Sequence, residues 1–203
     1  MRRRASAPAY RLLSLLLDYP EAAVDEALAG AEDEPDPALA PFWAWWRETP
    51  LAERQRRYVE TFDLDRRTSL HLTYYLHGET RKRGLALLRL KRLYAAAGLP
   101  LAADELPDFL PALLEFAAFA PDGYGETLLA EHRLALELLR LRLAGLESPW
   151  VCLLDALCAS LPRLGPIERD RLARLLDEGP PAELVGLEPF APPEVMPGLG
   201  ARP

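Results

Sequence analysis

Leucine- and alanine-rich stretches with helical spacing are cut at short intervals by proline and glycine, and this punctuation constrains the fold more than any other feature. Proline fits the first turn of a helix, where its missing N–H is not needed, and glycine and proline stop helices at the far end. Pro8 therefore opens a helix with Leu13, Leu16 and Leu17 as its stripe, and Pro20 ends it. A second helix runs from Glu21 to Ala29 and stops at Gly30. Leu39, Phe42, Trp43 and Trp46 recur at i, i+3, i+4 and i+7, the spacing of a core-facing helix rather than of a ligand-stacking platform. Thr49 and Pro50 read as the cap and first residue of the next helix. Further helices are expected over Arg66–His77, Glu79–Ala97, from Asp108 as cap to Pro121, over Glu126–Ala144, over Ser148–Leu161 and over Gly165–Asp177. Val, Ile and Thr are scarce and no strand pair is evident. The spacing predicts one all-α domain over 1–178, a bundle of about nine or ten helices, followed by a Pro/Gly-rich tail over 179–203 that is expected to be poorly ordered.

Charge and cysteine content narrow the function classes. The formal net charge of -7 argues against a nucleic-acid binder, which is usually basic. That charge is uneven: Asp18, Glu21, Asp25 and Glu26 lie in an acidic stretch, whereas arginines crowd 54–92. On the helix from Pro50, Tyr58, Val59 and Phe62 fall on one side, with Arg54, Arg56 and Arg57 mainly on the other. The arginine cluster keeps a second class open, a helical adaptor or transcriptional regulator. Cys152 and Cys158 lie about 120° apart around a helix, so they read as free thiols rather than a disulfide or metal pair. Low cysteine content, the absence of a membrane-length apolar run and the interrupted, short apolar segment after MRRR lead to the expectation of a cytoplasmic protein.

Tyr58–Phe119 carries two of the three histidines and four of the seven tyrosines, with polar and apolar residues mixed in a way that amphipathicity does not explain. No Gly-rich phosphate loop, HExxH, CxxC or GxSxG appears. His71 and His77 miss the i, i+4 spacing of a zinc pair, and His132 sits in a leucine stripe as a core histidine would. Asp63 and Asp65 read as a helix end and the next cap. Without catalytic motifs, a binding protein is favoured over an enzyme, and no catalytic residue, metal or cofactor of its own is expected.

Within this stretch YVETFDL, RRTSLHLTYYLHGETRKRG and ELPDFLPALLEF, together with LLSLLLDYPE near the start, resemble the nitrate reductase assembly chaperone (NarJ) family of the TorD-like redox-enzyme maturation proteins. The matching positions are Tyr58, Phe62 and Asp63, then His77, Gly78, Glu79, Arg81, Arg83 and Gly84, then Leu106, Pro107, Asp108, Leu110 and Pro111. Phe109 departs from the pattern, since some relatives carry histidine there, and nothing matches in the C-terminal region. The resemblance implies an all-α cytoplasmic chaperone. Its partner would be the N-terminal leader peptide of the apo catalytic (alpha) subunit of respiratory nitrate reductase, held while the molybdenum cofactor is inserted and before membrane attachment. Proteins that deliver the cofactor are a further implied partner; nucleic acid and direct membrane insertion are not expected.

Leader peptides of this class are basic and amphipathic. The expected peptide-binding residues are Tyr58, Phe62, Asp63, His71, Tyr74, Tyr75, Leu76, His77, Glu79, Arg83, Asp108, Glu115 and Phe119. In this reading Tyr74, Tyr75, Leu76 and Phe119 line a groove for the apolar face of a helical peptide. Asp63, Glu79, Asp108 and Glu115 meet its cations, with Arg81 and Arg83 bracing the walls. Exposed ion pairs contribute only ~0–1 kcal/mol each, so the apolar anchors are expected to supply most of the affinity.

Overall fold

A computed structural model describes residues 6–29, 36–102, 105–121 and 123–181, so most of the expected tail, 182–203, lies outside the described residues. Eleven α-helices make up the described chain. They are α1 (Ala7–Leu17), α2 (Ala22–Ala29), α3 (Ala40–Glu48), α4 (Leu51–Tyr58), α5 (Leu72–His77) and α6 (Arg81–Ala96), then α7 (Leu110–Phe119), α8 (Tyr124–Glu131), α9 (Arg133–Gly145), α10 (Val151–Ser160) and α11 (Pro166–Glu178). The only extended pairing among the described residues is one antiparallel bridge between His71 and Phe109. No described helix is long and apolar enough to cross a membrane.

The core forms where α1, α3, α4 and α10 meet. Trp150, fully buried, donates its indole N–H to the Leu16 carbonyl at 3.2 Å. Around it stand Trp45, Phe62 and Tyr58, with ring centroids 4.8, 5.3 and 6.0 Å away. Edge-on aromatic packing of this kind adds about 0.5–1.5 kcal/mol per pair beyond area burial. Phe42, Trp43 and Trp46 extend the core along α3, as their spacing predicts. On the other side of the molecule α1 lies along α7, α7 against α8, and α9 carries α5, α10 and α11.

Several local features differ from the sequence expectation. The run from 66 to 77 is not one helix. Asp65 accepts from the Arg67 N–H at 2.9 Å and caps a single 3-10 turn, Arg66–Thr68; the backbone then extends at Ser69 before α5 starts. The stretch after α4 closes with an i→i+5 bond, Leu64 N–H to the Val59 carbonyl at 3.1 Å. This wide turn leaves Phe62 in the core and Asp63 outside. Thr49 caps nothing, and α4 begins without a side-chain cap. Arg54 is not on the outer face: it is 5% exposed and grips Asp25 through two bonds of 2.8 and 2.6 Å. Trp46 donates to the same carboxylate at 2.8 Å and lies 4.2 Å from the guanidinium. The Arg54 hydrogen bonds hold the Asp25 carboxyl below the usual range.

The long helix expected over 126–144 breaks at His132, which leaves helical geometry (φ -94°, ψ 9°) and separates α8 from α9. The buried imidazole Nδ1 lies 2.9 Å from the Leu128 carbonyl, and burial pushes the ring's pKa down. A ring held neutral in the fold contributes stability above the unfolded value of ~6.5 that is lost as pH falls below it.

Helices α7 and α8 approach closely because Gly125 has no side chain: a Cβ there would run into the Cα of Ala117. Gly125→Ala must therefore push the helices apart, a cost of about 1–3 kcal/mol. Urea titration should show a lower midpoint at an unchanged slope, while an unchanged midpoint would mean that the helices separate freely.

Candidate functional site

Both halves of the family-like stretch meet in a clasp around Asp108. Its side chain is fully buried, and a buried carboxylate is tolerable only if its lone pairs are met. Oδ2 accepts the Thr73 N–H at 3.2 Å and a short bond from the Thr73 hydroxyl. Oδ1 lies 3.2 Å from the His71 Nδ1, and the Arg83 guanidinium stands 3.5 Å from Oδ2. The backbone carbonyl of Asp108 takes the Leu72 N–H at 3.0 Å, and the Leu110 N–H returns to the Leu70 carbonyl at 2.9 Å. Asp108 therefore does not cap α7, as expected; it caps α5 from 35 positions away. Pro111 explains part of the switch, because it removes an N-terminal donor from α7 that a local cap would otherwise serve. Burial alone would raise the Asp108 pKa, but the hydrogen bonds from His71 and Thr73 and the charge of Arg83 outweigh it and hold the carboxyl below its usual range.

On its other side, α5 faces a cleft of about 210 Å³. Its floor is Tyr74, Tyr75 and Leu138; Leu175 and Leu176 of α11 form the opposite wall. Tyr75 is buried and its hydroxyl donates toward the Ser69 and Arg67 carbonyls, at 2.8 and 3.1 Å. Tyr74 is half-buried, with its ring edge-on to Tyr75 at 6.2 Å. The rim is Arg66, Arg67 and Arg142 together with Asp177 and Glu178. Arg142 is tied to the end of α11, donating to the Leu176 carbonyl at 2.7 Å.

The thirteen expected residues thus separate by location. Tyr74 and Tyr75 reach the cleft, while His71, Arg83 and Asp108 form the clasp beneath it. Tyr58 and Phe62 belong to the aromatic core, with the Tyr58 hydroxyl bonded to the Leu17 carbonyl at 3.2 Å, so neither ring presents a face to a groove. Leu76 is half-buried against the core and does not line the cleft. His77 is half-buried too, its pKa lowered by burial and by the charges of Arg171 and Lys82. Asp63, Glu79, Glu115 and Phe119 are exposed. Partial burial still pushes the Asp63 carboxyl up, with His71 pulling against it. Glu79 pairs with Arg66 at 2.8 Å, and Phe119 lies under Arg11, 5.9 Å from its guanidinium. The expected single apolar wall with an acidic edge does not form. Its members are spread over separate elements, Asp108 is consumed inside the fold, and the cleft's edge mixes three arginines with Asp177 and Glu178 of α11.

Sequence reasoning missed Thr73, Leu138, Arg142 and the α11 wall. The stripe of Leu172, Leu175 and Leu176 was legible as a helix face, but nothing local indicates that α11 packs on α9 and brings Leu175 and Leu176 to the cleft beside α5.

The clasp makes a clear demand on stability. Asp108→Asn keeps the size but removes the charge that Arg83 and His71 face, and should cost about 2–4 kcal/mol. A carboxyl with a depressed pKa contributes stability that is complete above its unfolded value of ~3.9 and is lost as pH falls through the lower folded one. The acid limb of wild-type unfolding between about pH 4 and 2 should therefore flatten in the variant. An unchanged acid limb in circular-dichroism melts would refute this role.

Comparison with known proteins gives this geometry a family. The chain matches the profile described as nitrate reductase delta subunit over residues 21–155. It is 36% identical over 151 residues to the probable nitrate reductase molybdenum cofactor assembly chaperone NarW of Escherichia coli (strain K12), covering 72% of this chain and 65% of that protein. It is 36% identical over 157 residues to the nitrate reductase molybdenum cofactor assembly chaperone NarJ of the same strain, covering 72% of this chain and 66% of that protein. With the probable chaperone NarJ of Bacillus subtilis (strain 168) it shares 38% identity over 108 residues, 53% of this chain and 59% of the relative. The chain thus spans somewhat under two thirds of the length of these curated relatives. The match runs through the aromatic core, the Asp108 clasp and α5, and the chain belongs to the nitrate reductase delta subunit family.

Proposed function

We propose that this protein is an assembly chaperone for a nitrate reductase: it holds the apo catalytic subunit by its N-terminal peptide while the molybdenum cofactor is inserted, acting in the cytoplasm before membrane attachment. Relatives named as molybdenum cofactor assembly chaperones support the general role. The observation that carries the peptide-binding part is the cleft beside α5, where half-buried Tyr74 and the apolar side chains of α5 and α9 face about 210 Å³ left unfilled beside α11. Such a surface suits a helical peptide that lays an apolar stripe against aromatic and leucine side chains. Holding a client in this way needs no bond-making chemistry from the chaperone.

The clasp has a positioning role in this reading. Short α5 cannot hold Tyr74 by itself, so Asp108 anchors its start and Gly78 (φ 56°) ends it. Asp63, Glu79 and Glu115 stand exposed on the surface and contribute to approach and orientation of a basic leader more than to affinity.

Isothermal titration of the protein with the N-terminal peptide of the cognate catalytic subunit should show micromolar binding. Tyr74→Ala should weaken it about tenfold, the loss of roughly 1.4 kcal/mol of aromatic contact, and Asp63→Ala by less than threefold. Absence of heat across pH and at low salt would overturn peptide binding; a larger effect from Asp63→Ala would reverse the division between anchors and charges.

A further inference from the structure

The α11 wall of the cleft is attached differently from the rest of the bundle. Among the eleven helices, α11 is a thirteen-residue helix with no fully buried residue. Leu172, Leu175 and Leu176, at i, i+3 and i+4, are half-buried against the core, while Ile167 is 82% exposed and Arg169, Arg171 and Arg174 face solvent. Its last turn is held by Arg142 at the Leu176 carbonyl. The chain then passes over the α5–α6 turn so closely that any Cβ on Gly78 would overlap the Pro181 carbonyl.

These features describe an amphipathic helix lying on a binding surface. Leucines face Tyr74, Tyr75 and Leu138, a cation meets the helix's C-terminal carbonyls where the helix dipole is negative, and the outer face is left to solvent. We propose that α11 is the resident occupant of the client site, and that a client helix binds by displacing it. This rests on the peptide-binding reading above and specifies it. The incoming segment is an amphipathic helix with leucine-like residues at i, i+3 and i+4, its C-terminal end at Arg142. Its outward face is unread by the site, so a basic leader is accepted even though the rim's carboxylates, Asp177 and Glu178, leave with α11. Because α11 is covalently tethered, it competes at a high effective concentration and sets the client's apparent affinity.

The test uses the full chain and the catalytic-subunit peptide. Native-state hydrogen exchange should show α11 amides exchanging well ahead of those in α10, and adding peptide should speed exchange in α11 while slowing it in α5. Leu175→Ala with Leu176→Ala, which loosens α11 without touching the floor, should tighten peptide binding at least fivefold. Affinity unchanged or weakened by that double substitution, or α11 amides that gain protection on peptide binding, would overturn displacement and leave peptide binding standing. Exchange in α11 as slow as in α10 without peptide would also overturn it. No binding to either form, with α11 opening on its own, would instead sink the peptide-binding reading on which the proposal rests.

Discussion

A single buried carboxylate organises the half of this molecule that carries the candidate site. Helix α5 has six residues, far short of the length at which a helix is stable by itself. Its first two N–H groups are both taken by Asp108, one by the backbone carbonyl and one by the side chain. The reciprocal bond from Leu110 to Leu70 fixes the register between the two segments. Taking a carboxylate out of water costs several kcal/mol, and here that cost is offset only because Thr73, His71 and Arg83 all converge on it. Remove the convergence and α5 loses its start, and with it the orientation of Tyr74 and Tyr75 toward α9 and α11.

How much of this was readable without coordinates depends on the range of each interaction. The helices were legible, because spacing at 3.6 residues and proline joints are local signals; so were the Asp65 cap and the burial of Phe42, Trp43 and Trp46. The break at His132 carried no glycine or proline to mark it. Arg54 looked like an outer-face charge until Asp25, 29 positions away, gave it a buried partner. Asp108 was recognisable as a cap, but its true helix lies 35 positions upstream. Tyr58 and Phe62 share the family-like motif with site residues, yet Trp150, which seals them in, enters from the far end of the chain. Motif membership gathered residues of the aromatic core, the clasp and the cleft without separating them.

Charge was the least legible property. A basic leader suggests an acidic groove, but the carboxylates on this surface are either used internally or scattered over separate elements. The cleft's edge mixes three arginines, one of them already serving a helix end, with Asp177 and Glu178 at the end of α11. Exposed ion pairs contribute too little to hold a client, whereas an aromatic and leucine floor in a shielded cleft contributes more per contact. In the proposed mode of binding, specificity comes from the pattern of apolar residues on the client helix and from where that helix ends, not from its net charge.

A holding protein has to let go, and the geometry of α11 bears on that requirement. If the bare surface is exposed in only a fraction of molecules, the apparent affinity for a client falls by the same fraction; exposure in about one molecule in a hundred weakens binding a hundredfold. In the proposed exchange the same tethered helix returns to the surface whenever the client loosens, so release needs no separate partner to push the client off. The under-filled cleft fits this exchange: a wall packed to the density of the Trp150 core would resist both entry and return. On the proposed reading, clasp and aromatic core keep Tyr74 and Tyr75 in place while lightly held α11 moves, a division by which one small bundle both binds and releases a client.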